Sequence, residues 1–237
     1  MKKKTTIRFL SVILALMLCL PMLFAGVYLA QRELYLPQSL DVVTVALDTS
    51  GDSLHKRGYR AIGNDAPLHE TLAAGMIQLT KYRGREFFWD PFCGSGTIPI
   101  EAAYIAKNRA PGINRRFAAE RFSWMDEQVW RDARGEAIDK EFRGDYRILG
   151  SDNDPKCISL AMANARKAGV GDIITFQDGD ATKMNLPAQN GIIVCNPPYG
   201  QRMLEQQSAQ RLYQALGRHL KFADGWKKFI ITSWYTS

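Results

Sequence analysis

Strand-like and helix-like segments alternate along most of this chain, and that alternation restricts its fold more than any other feature. Short apolar runs of strand length are separated by segments whose apolar residues recur at helical spacing. The predicted helices cover 67–80, 97–107, 155–168 and 203–220, and the predicted strands cover 42–47, 86–90, 146–151, 172–177, 191–195 and 228–232. Strands joined through helices form parallel sheets, because parallel neighbours need long crossover connections. The sequence therefore predicts an α/β fold with a doubly wound, mostly parallel sheet.

Two regions depart from this alternation. Residues 108–144 carry Trp124, Trp130 and mixed charges, and we interpret them as an insertion. Residues 1–40 begin with basic residues and continue with an uncharged run over 9–30, long enough at about 1.5 Å per residue to cross a bilayer. A membrane anchor, a cleaved signal peptide and a buried segment all stay open for this run. We therefore predict an anchor- or signal-like segment over 1–40, followed by one domain over 41–237.

Charge and cysteine content restrict the partners and the chemistry. The first forty residues carry about half of the formal net charge of +7, so the remainder is only mildly basic. That excess permits a nucleic-acid partner without arguing for one. The four cysteines lack C-x-x-C spacing and only three histidines are present, so neither a metal site nor a disulfide framework is predicted.

The segment 90–97, Asp-Pro-Phe-Cys-Gly-Ser-Gly-Thr, follows a predicted strand and opens a predicted helix. Gly94 and Gly96 would let the backbone approach a ligand closely. The segment matches neither the dinucleotide-binding nor the P-loop pattern, so it does not predict a triphosphate site. A carboxylate at the strand end, Asp90, suits a ligand that carries an ammonium group. A plain turn is the competing interpretation.

Acidic residues also follow the next two predicted strands. Asp152 is placed to accept hydrogen bonds from ribose hydroxyls. Asp154, followed by Pro155, has the pattern of a helix N-cap. Asp180 could accept from an adenine amino group, but turn formation is an equal competitor.

The segment 196–200, Asn-Pro-Pro-Tyr-Gly, directly follows an apolar strand and is the most specific motif. The side-chain oxygen of Asn196 and the carbonyl of Pro197 can accept both hydrogens of an exocyclic amine. That arrangement favours the tetrahedral nitrogen that attacks a methyl donor, and Tyr199 can stack on the base. A simple proline turn is the alternative.

Four segments in this order, 47–60, 66–74, 90–97 and 196–200, resemble the S-adenosylmethionine-dependent methyltransferases with an (Asn/Asp)-Pro-Pro-Tyr motif. Within that class the chain is most similar to the bacterial ribosomal RNA guanine-N2 methyltransferases. The resemblance implies a Rossmann-like methyltransferase fold, S-adenosylmethionine as cofactor, and transfer to guanine N2 in large-subunit ribosomal RNA. It implies cofactor-binding roles for Asp90, Gly94, Gly96, Asp152, Asp180, Pro67 and His69, and catalytic roles for Asn196, Pro197 and Tyr199.

The chain also departs from the family that it resembles. No THUMP-like RNA-binding region precedes residue 42, and two strands of the usual fold are missing at the C-terminal end, so we expect a C-terminally incomplete domain. Adenine-N6 methylation of DNA and a non-catalytic remnant therefore stay as alternatives. Because the methyl donor and ribosomal RNA are cytoplasmic, we expect a cytoplasmic domain, with membrane anchoring through 9–30 as the alternative. The basic loop 56–60 and Arg109, Arg115 and Arg116 are candidate phosphate contacts, although solvated charge explains them as well.

Overall fold

The computed structural model describes residues 46–60, 68–198 and 203–232. Within these residues five strands form one sheet in the order β3-β2-β1-β4-β5, and every neighbouring pair is parallel. The strands are β1 (Phe88–Asp90), β2 (Ile148–Asp152), β3 (Ile174–Asp178), β4 (Gly191–Cys195) and β5 (Trp226–Ile230). The chain runs outward from β1 to β3 and then returns to place β4 beside β1. The strand order therefore reverses between β1 and β4, where open α/β sheets bind their ligands.

Helices connect the strands in the manner that the sequence predicts, except that residues 179–190 join β3 to β4 without a helix. They are α1 (Glu70–Leu79), α2 (Thr97–Lys107), α3 (Glu127–Asp139), α4 (Pro155–Ala168) and α5 (Met203–Leu220), with a 3₁₀ helix over Ala118–Arg121. The predicted bounds of α2, α4, α5 and β4 match the structure. The predicted α/β fold with a parallel sheet is thus confirmed.

Two predictions of local structure were incomplete. The strand predicted over 42–47 is not present at residues 46 and 47, and its remainder lies outside the described residues. Helix α3 was missed within the segment interpreted as an insertion. It buries none of its residues, and its composition is polar on average.

The core lies on both faces of the sheet, because successive side chains of a strand point to opposite sides. Phe88 of β1 packs with Ile192 and with buried residues of α1, α2 and α4. The next residue, Trp89, packs on the other face with Leu216 of α5. Both central strands, β1 and β4, are buried along their whole length. This two-sided burial explains why their sequences are continuously apolar.

The described residues divide into two compact units. One comprises 46–52 and 117–131, where the amide of Ala119 donates to the carbonyl of Thr49 over 3.1 Å. The other comprises 53–116, 132–198 and 203–232, and it contains the whole sheet. The prediction of a single domain over 41–237 is not tested by this division and stays a prediction.

Of the helices in the described ranges, none is long and apolar enough to cross a membrane. The apolar run 9–30 lies outside the described residues. Its interpretation as an anchor or a signal peptide therefore stays a prediction.

Candidate active site

A cavity of about 370 Å³ lies at the carboxyl ends of the strands and brings the three sequence motifs together. Residues that follow β1, β2, β3 and β4 all line it. Five of the predicted site residues belong to the lining, namely Asp90, Gly94, Asp152, Asp180 and Asn196. The remaining lining residues are Leu68, Pro91, Phe92, Cys93, Ser95, Thr97, Ile98, Asn153, Gly179, Ala181, Pro198 and Leu212.

Asp90 supplies a fully buried carboxyl group at the end of β1. Its Oδ1 accepts a hydrogen bond from the amide of Phe92 over 3.1 Å. Its Oδ2 is buried without a hydrogen-bond partner among the described residues. Burial raises the pKa of Asp90 well above its usual range, and the nearby charge of Asp152 raises it further. A cationic group beside Oδ2 would supply the missing partner and stabilise the ionised carboxylate.

The two glycines of the first motif have different roles. Gly94 has φ +50°, and a Cβ added there would meet no heavy atom within 4 Å, so its backbone is open to the cavity. Gly96 has φ +85°, and a Cβ there would lie 3.0 Å from Cβ of Ala161 in α4. Gly96 is absent from the cavity lining. It permits the start of α2 to pack closely against α4.

Asp152 links the end of β2 to the glycine loop. Its Oδ2 accepts from the amide of Gly94 over 2.9 Å, and its Oδ1 accepts from the amide of Asp154 over 3.0 Å. Each carboxylate oxygen has a second lone pair, so acceptor capacity toward a ligand hydroxyl is left. Asp154 caps α4, as predicted, because its Oδ1 accepts from the amide of Lys156 over 2.9 Å.

Asp180 lines the cavity, and it also forms the turn that was the alternative interpretation of this residue. Its Oδ1 accepts from the amide and the hydroxyl of Thr182, over 2.9 and 2.7 Å. Lys183 lies 2.8 Å from its Oδ2. The hydrogen bonds from Lys183 and Thr182 lower the pKa of Asp180 to about 2. The side chain is therefore an ionised acceptor that is already partly engaged.

The proline motif reaches the cavity through Asn196, which is partly buried, and Pro198. Pro197 is buried and is not part of the lining, although its carbonyl belongs to the same loop. Tyr199 lies outside the described residues. The structure thus places Asn196, which follows β4, and Asp90, at the end of β1, in one cavity at the point where the strand order reverses.

The segment around Pro67 and His69, to which the resemblance gave cofactor-binding roles, contributes Leu68 to the cavity lining. His69 is exposed, and its ring stacks on His55 with a centroid separation of 4.3 Å, outside the lining. Pro67 lies outside the described residues.

The two cysteines near the site lack the features of nucleophiles. Cys93 lines the cavity but is 5% exposed, and Cys195 is fully buried in β4 outside the lining. Burial raises the pKa of both thiols. Because the thiolate is the reactive form, this arrangement argues against a covalent thiol mechanism.

Several of the basic residues considered as phosphate contacts also form contacts within the fold. Arg57 forms an ion pair with the buried Glu101 over 3.4 Å. Arg60 lies 3.5 Å from Glu70 and donates to the hydroxyl of Thr97 over 2.8 Å. Arg115 is 6% exposed.

Sequence reasoning missed the part that Arg60 plays beside the cavity. Its Nη2 also donates to the carbonyl of Leu68 over 3.1 Å, so one guanidinium group joins two residues of the lining, Leu68 and Thr97. The apolar lining residues Phe92 and Leu212 were missed as well. Phe92 lies within the predicted motif, whereas nothing in the sequence marks Leu212 of α5.

The RMKL-like methyltransferase domain family matches residues 57–234. The chain belongs to this family. The RMKL-like domain is 44% identical over 184 residues to ribosomal RNA large subunit methyltransferase K/L of Aliivibrio fischeri (strain ATCC 700601 / ES114), a match that covers 75% of this chain and 26% of that protein. The chain spans half or less of the length of the curated relatives it matches.

Solved structures share the fold of this RMKL-like domain. A Listeria monocytogenes protein named as a predicted N6-adenine-specific DNA methylase is 44% identical, with a TM-score of 0.76 over 79% of this chain and 50% of that one. SMU.472, crystallised with S-adenosylhomocysteine (SAH), is 38% identical, with a TM-score of 0.73 over 78% of this chain and 49% of that one. The Rossmann-like methyltransferase fold expected from the sequence is therefore confirmed.

Proposed function

We propose that this chain transfers a methyl group from S-adenosylmethionine to the exocyclic N2 amine of a guanine in large-subunit ribosomal RNA. The observation that carries the proposal is that Asp90, Gly94 and Asp152 line the same cavity as Asn196. Its volume of about 370 Å³ lies within the usual range of about 300–1,000 Å³ for small-molecule sites.

The donor side of the cavity fits this cofactor. The buried Oδ2 of Asp90 has no partner among the described residues and would pair with the ammonium group of the methionine end. The open space over Gly94 lets a ligand approach the backbone, and Asp152 keeps acceptor capacity for ribose hydroxyls. The SAH complex of the related SMU.472 supports the same cofactor class. When bound, the cofactor supplies an electrophilic methyl group on a sulfonium.

The acceptor side is assigned to the proline motif. Asn196 accepts one hydrogen of the target amine through its side-chain oxygen, and Pro197 accepts the other through its carbonyl. These contacts hold the nitrogen with its lone pair directed at the methyl group, and Tyr199 is assigned to stack on the base. Alignment of the amine with the methyl group would then provide most of the acceleration, without a covalent intermediate. The sulfonium would leave as SAH, and the amine would release one proton to solvent.

The choice of RNA over DNA rests on the relatives and on the sequence motifs. The K/L relative is named as a ribosomal RNA methyltransferase, and it is 44% identical to this chain. The Listeria relative, named for adenine-N6 methylation of DNA, supports the alternative substrate. Both amines present two hydrogens, so Asn196 and Pro197 could serve either reaction, and product analysis must separate them.

The deciding experiment is methyl transfer from labelled S-adenosylmethionine to large-subunit ribosomal RNA and, in parallel, to DNA, followed by digestion to nucleosides. N2-methylguanosine from the RNA is the expected product. N6-methyl-2′-deoxyadenosine from DNA would establish the alternative, and SAH binding without any transfer would indicate a non-catalytic remnant.

Two asparagine variants test the assigned role. We expect Asn196→Ala to lower the transfer rate about 100-fold or more while SAH still binds, because a group aligned on the reacting atom is lost. Asn185→Ala removes an exposed asparagine outside the cavity lining and should transfer at the normal rate. Equal rates for the two variants would contradict the role of Asn196.

A further inference from the structure

A second cavity, of about 680 Å³, lies along α2 and is separate from the candidate active site. It has no lining residue in common with the first cavity. Its lining residues come from the segment after residue 53, from α1 and α2 and the segments that follow them, and from the segment around residue 142. They are Arg57, Ala74, Gln78, Arg83, Glu101, Tyr104, Ile105, Asn108, Arg109, Pro111 and Phe142.

Helix α2 connects the two cavities. Its first turn supplies Ile98 to the candidate active site, and Glu101 and Tyr104, with Asn108 at its C-cap, line the second cavity. The three- and four-residue spacings among these positions place them along one face of the helix. Ten residues separate Ile98 from Asn108, a rise of about 15 Å. Helix α2 therefore sets the separation of the two cavities, although Ile98, Glu101 and Tyr104 are themselves buried.

Three arginines from different parts of the chain converge on this second cavity. Arg57 pairs with Glu101 over 3.4 Å, and Arg109 pairs with Glu141. Arg83 is exposed, and its Nη1 donates to the carbonyl of Tyr82 over 3.2 Å. A guanidinium group offers five donors, so each arginine keeps donors for a ligand beyond these contacts.

The acidic residues around the cavity offset only part of this charge. Burial raises the pKa of Glu101 to about 7, so near neutral pH its carboxyl is only partly ionised. Glu141 is shared between Arg109 and Lys107, whose Nζ lies 3.2 Å from its carboxylate. The cavity therefore keeps a positive excess and attracts anions.

An exposed aromatic ring completes the lining. Phe142 is 60% exposed, although a phenylalanine normally buries its ring. It shares the cavity with Arg109, whose guanidinium lies 5.8 Å from the ring centroid of Tyr104. A positively charged cavity beside an exposed aromatic ring is typical of proteins that bind single-stranded nucleic acids. Phosphates contact the cations, and a base stacks on the ring.

We propose that this second cavity binds the backbone of the RNA substrate, with Arg83 contacting a phosphate and Phe142 stacking on a neighbouring base. The proposal rests on the proposed function for its choice of RNA. It assigns a docking site on the catalytic domain itself, lined by residues about 15 Å along α2 from Ile98 of the candidate active site.

The test uses the 237-residue chain and a fluorescently labelled single-stranded fragment of large-subunit ribosomal RNA, with anisotropy read over a range of salt concentrations. Arg83→Glu should weaken RNA binding about tenfold and reduce the slope of log K against log salt by about one. Phe142→Ala should weaken binding about fivefold or more at every salt concentration, because stacking is not an ionic contact.

Matched controls exist for both variants. Arg85→Glu makes the same charge change two residues away, at an exposed arginine outside both linings. Phe222→Ala removes another exposed phenylalanine, 81% exposed, that lies outside both linings. Both controls should bind RNA as the unmodified chain does. Equal weakening by Arg83→Glu and Arg85→Glu would show a general charge effect and overturn the docking site.

Two further measurements separate this proposal from others. If inorganic phosphate binds in a manner that depends on Arg83 while RNA binding does not, the cavity is a small-anion site and the proposal is wrong. Calorimetric titration of SAH into Arg83→Glu should give normal affinity, because Arg83 does not line the first cavity. Arg83-dependent RNA binding by a chain that fails to bind SAH would contradict the proposed function and leave the docking site intact.

Discussion

The amide of Gly94 donates a hydrogen bond over 2.9 Å to Oδ2 of Asp152, a residue 58 positions further along the chain. The contact is possible because β1 and β2 are parallel neighbours in a register that pairs Asp90 with Gly150. The glycine loop after β1 and the acidic turn after β2 are therefore held as one unit. The positions of two predicted cofactor-binding residues thus depend on each other.

Replacing Asp152 by asparagine should weaken SAH binding about tenfold or more. The carboxylate accepts from the amides of Gly94 and Asp154, one on each oxygen. An asparagine side chain must turn its NH₂ group toward one of these two donors, so one hydrogen bond is lost. Calorimetric titration of SAH measures the change.

Asp154→Ala is the control for that variant. It removes the cap of α4 and should lower the free energy of unfolding by about 1 kcal/mol, with SAH affinity unchanged. If Asp152→Asn binds SAH as tightly as Asp154→Ala does, the carboxylate does not organise the cofactor site.

Alanine at Gly94 and at Gly96 should produce different defects. Both positions have positive φ, so both variants bear a similar backbone cost of about 1–2 kcal/mol. At Gly96 the added Cβ also contacts Ala161 at 3.0 Å, which should cost about 1–3 kcal/mol more. At Gly94 the Cβ enters the cavity, so this variant should lose SAH affinity instead.

Urea unfolding and SAH titration of both glycine variants check this division. Equal free energies of unfolding for Gly94→Ala and Gly96→Ala would show that the contact between α2 and α4 is looser than described. Unchanged SAH affinity in Gly94→Ala would show that the cofactor does not approach this loop.

Glu101 should make the folded state less stable as the pH rises. Burial raises its pKa from an ordinary 4.5 to about 7, even though Arg57 opposes the shift. The folded chain therefore holds a proton that the unfolded chain has released between these values. The resulting stability is fully present below about pH 4.5 and is lost as the pH rises through about 7.

Urea unfolding at about pH 5 and about pH 8 measures this effect. Between these pH values the free energy of unfolding of the unmodified chain should fall by about 1–3 kcal/mol more than that of Glu101→Gln. The glutamine does not titrate at this position but can still accept a hydrogen bond from the hydroxyl of Tyr59. The difference between the two chains is the relevant quantity, because burial of Asp90 shifts its pKa in the same direction. Parallel pH profiles for the two chains would refute the assignment to Glu101.

Local signals explain why so much of the fold could be predicted from the sequence. Helix α4 begins at Asp154 and Pro155 and ends at Gly169, which has φ +74°, so its bounds are marked by residues whose own geometry favours those positions. The buried strands are continuously apolar, which parallel sheets require. The grouping of Asp90, Asp152 and Asn196 followed from the same pattern, because parallel strands end at one edge of the sheet.

Only the tertiary structure decided which residues that are distant in sequence contact each other. Gly94 and Gly96 have the same local pattern, and only the neighbourhood of Ala161 separates a ligand-facing glycine from a packing one. Likewise, Arg57 and Arg60 belong to one basic segment, but buried Glu101 and Glu70 engage them. Sequence alone determined which groups could bind, because that depends on chemistry and local geometry. Packing decided which of them face a cavity, because burial and pairing depend on the whole fold.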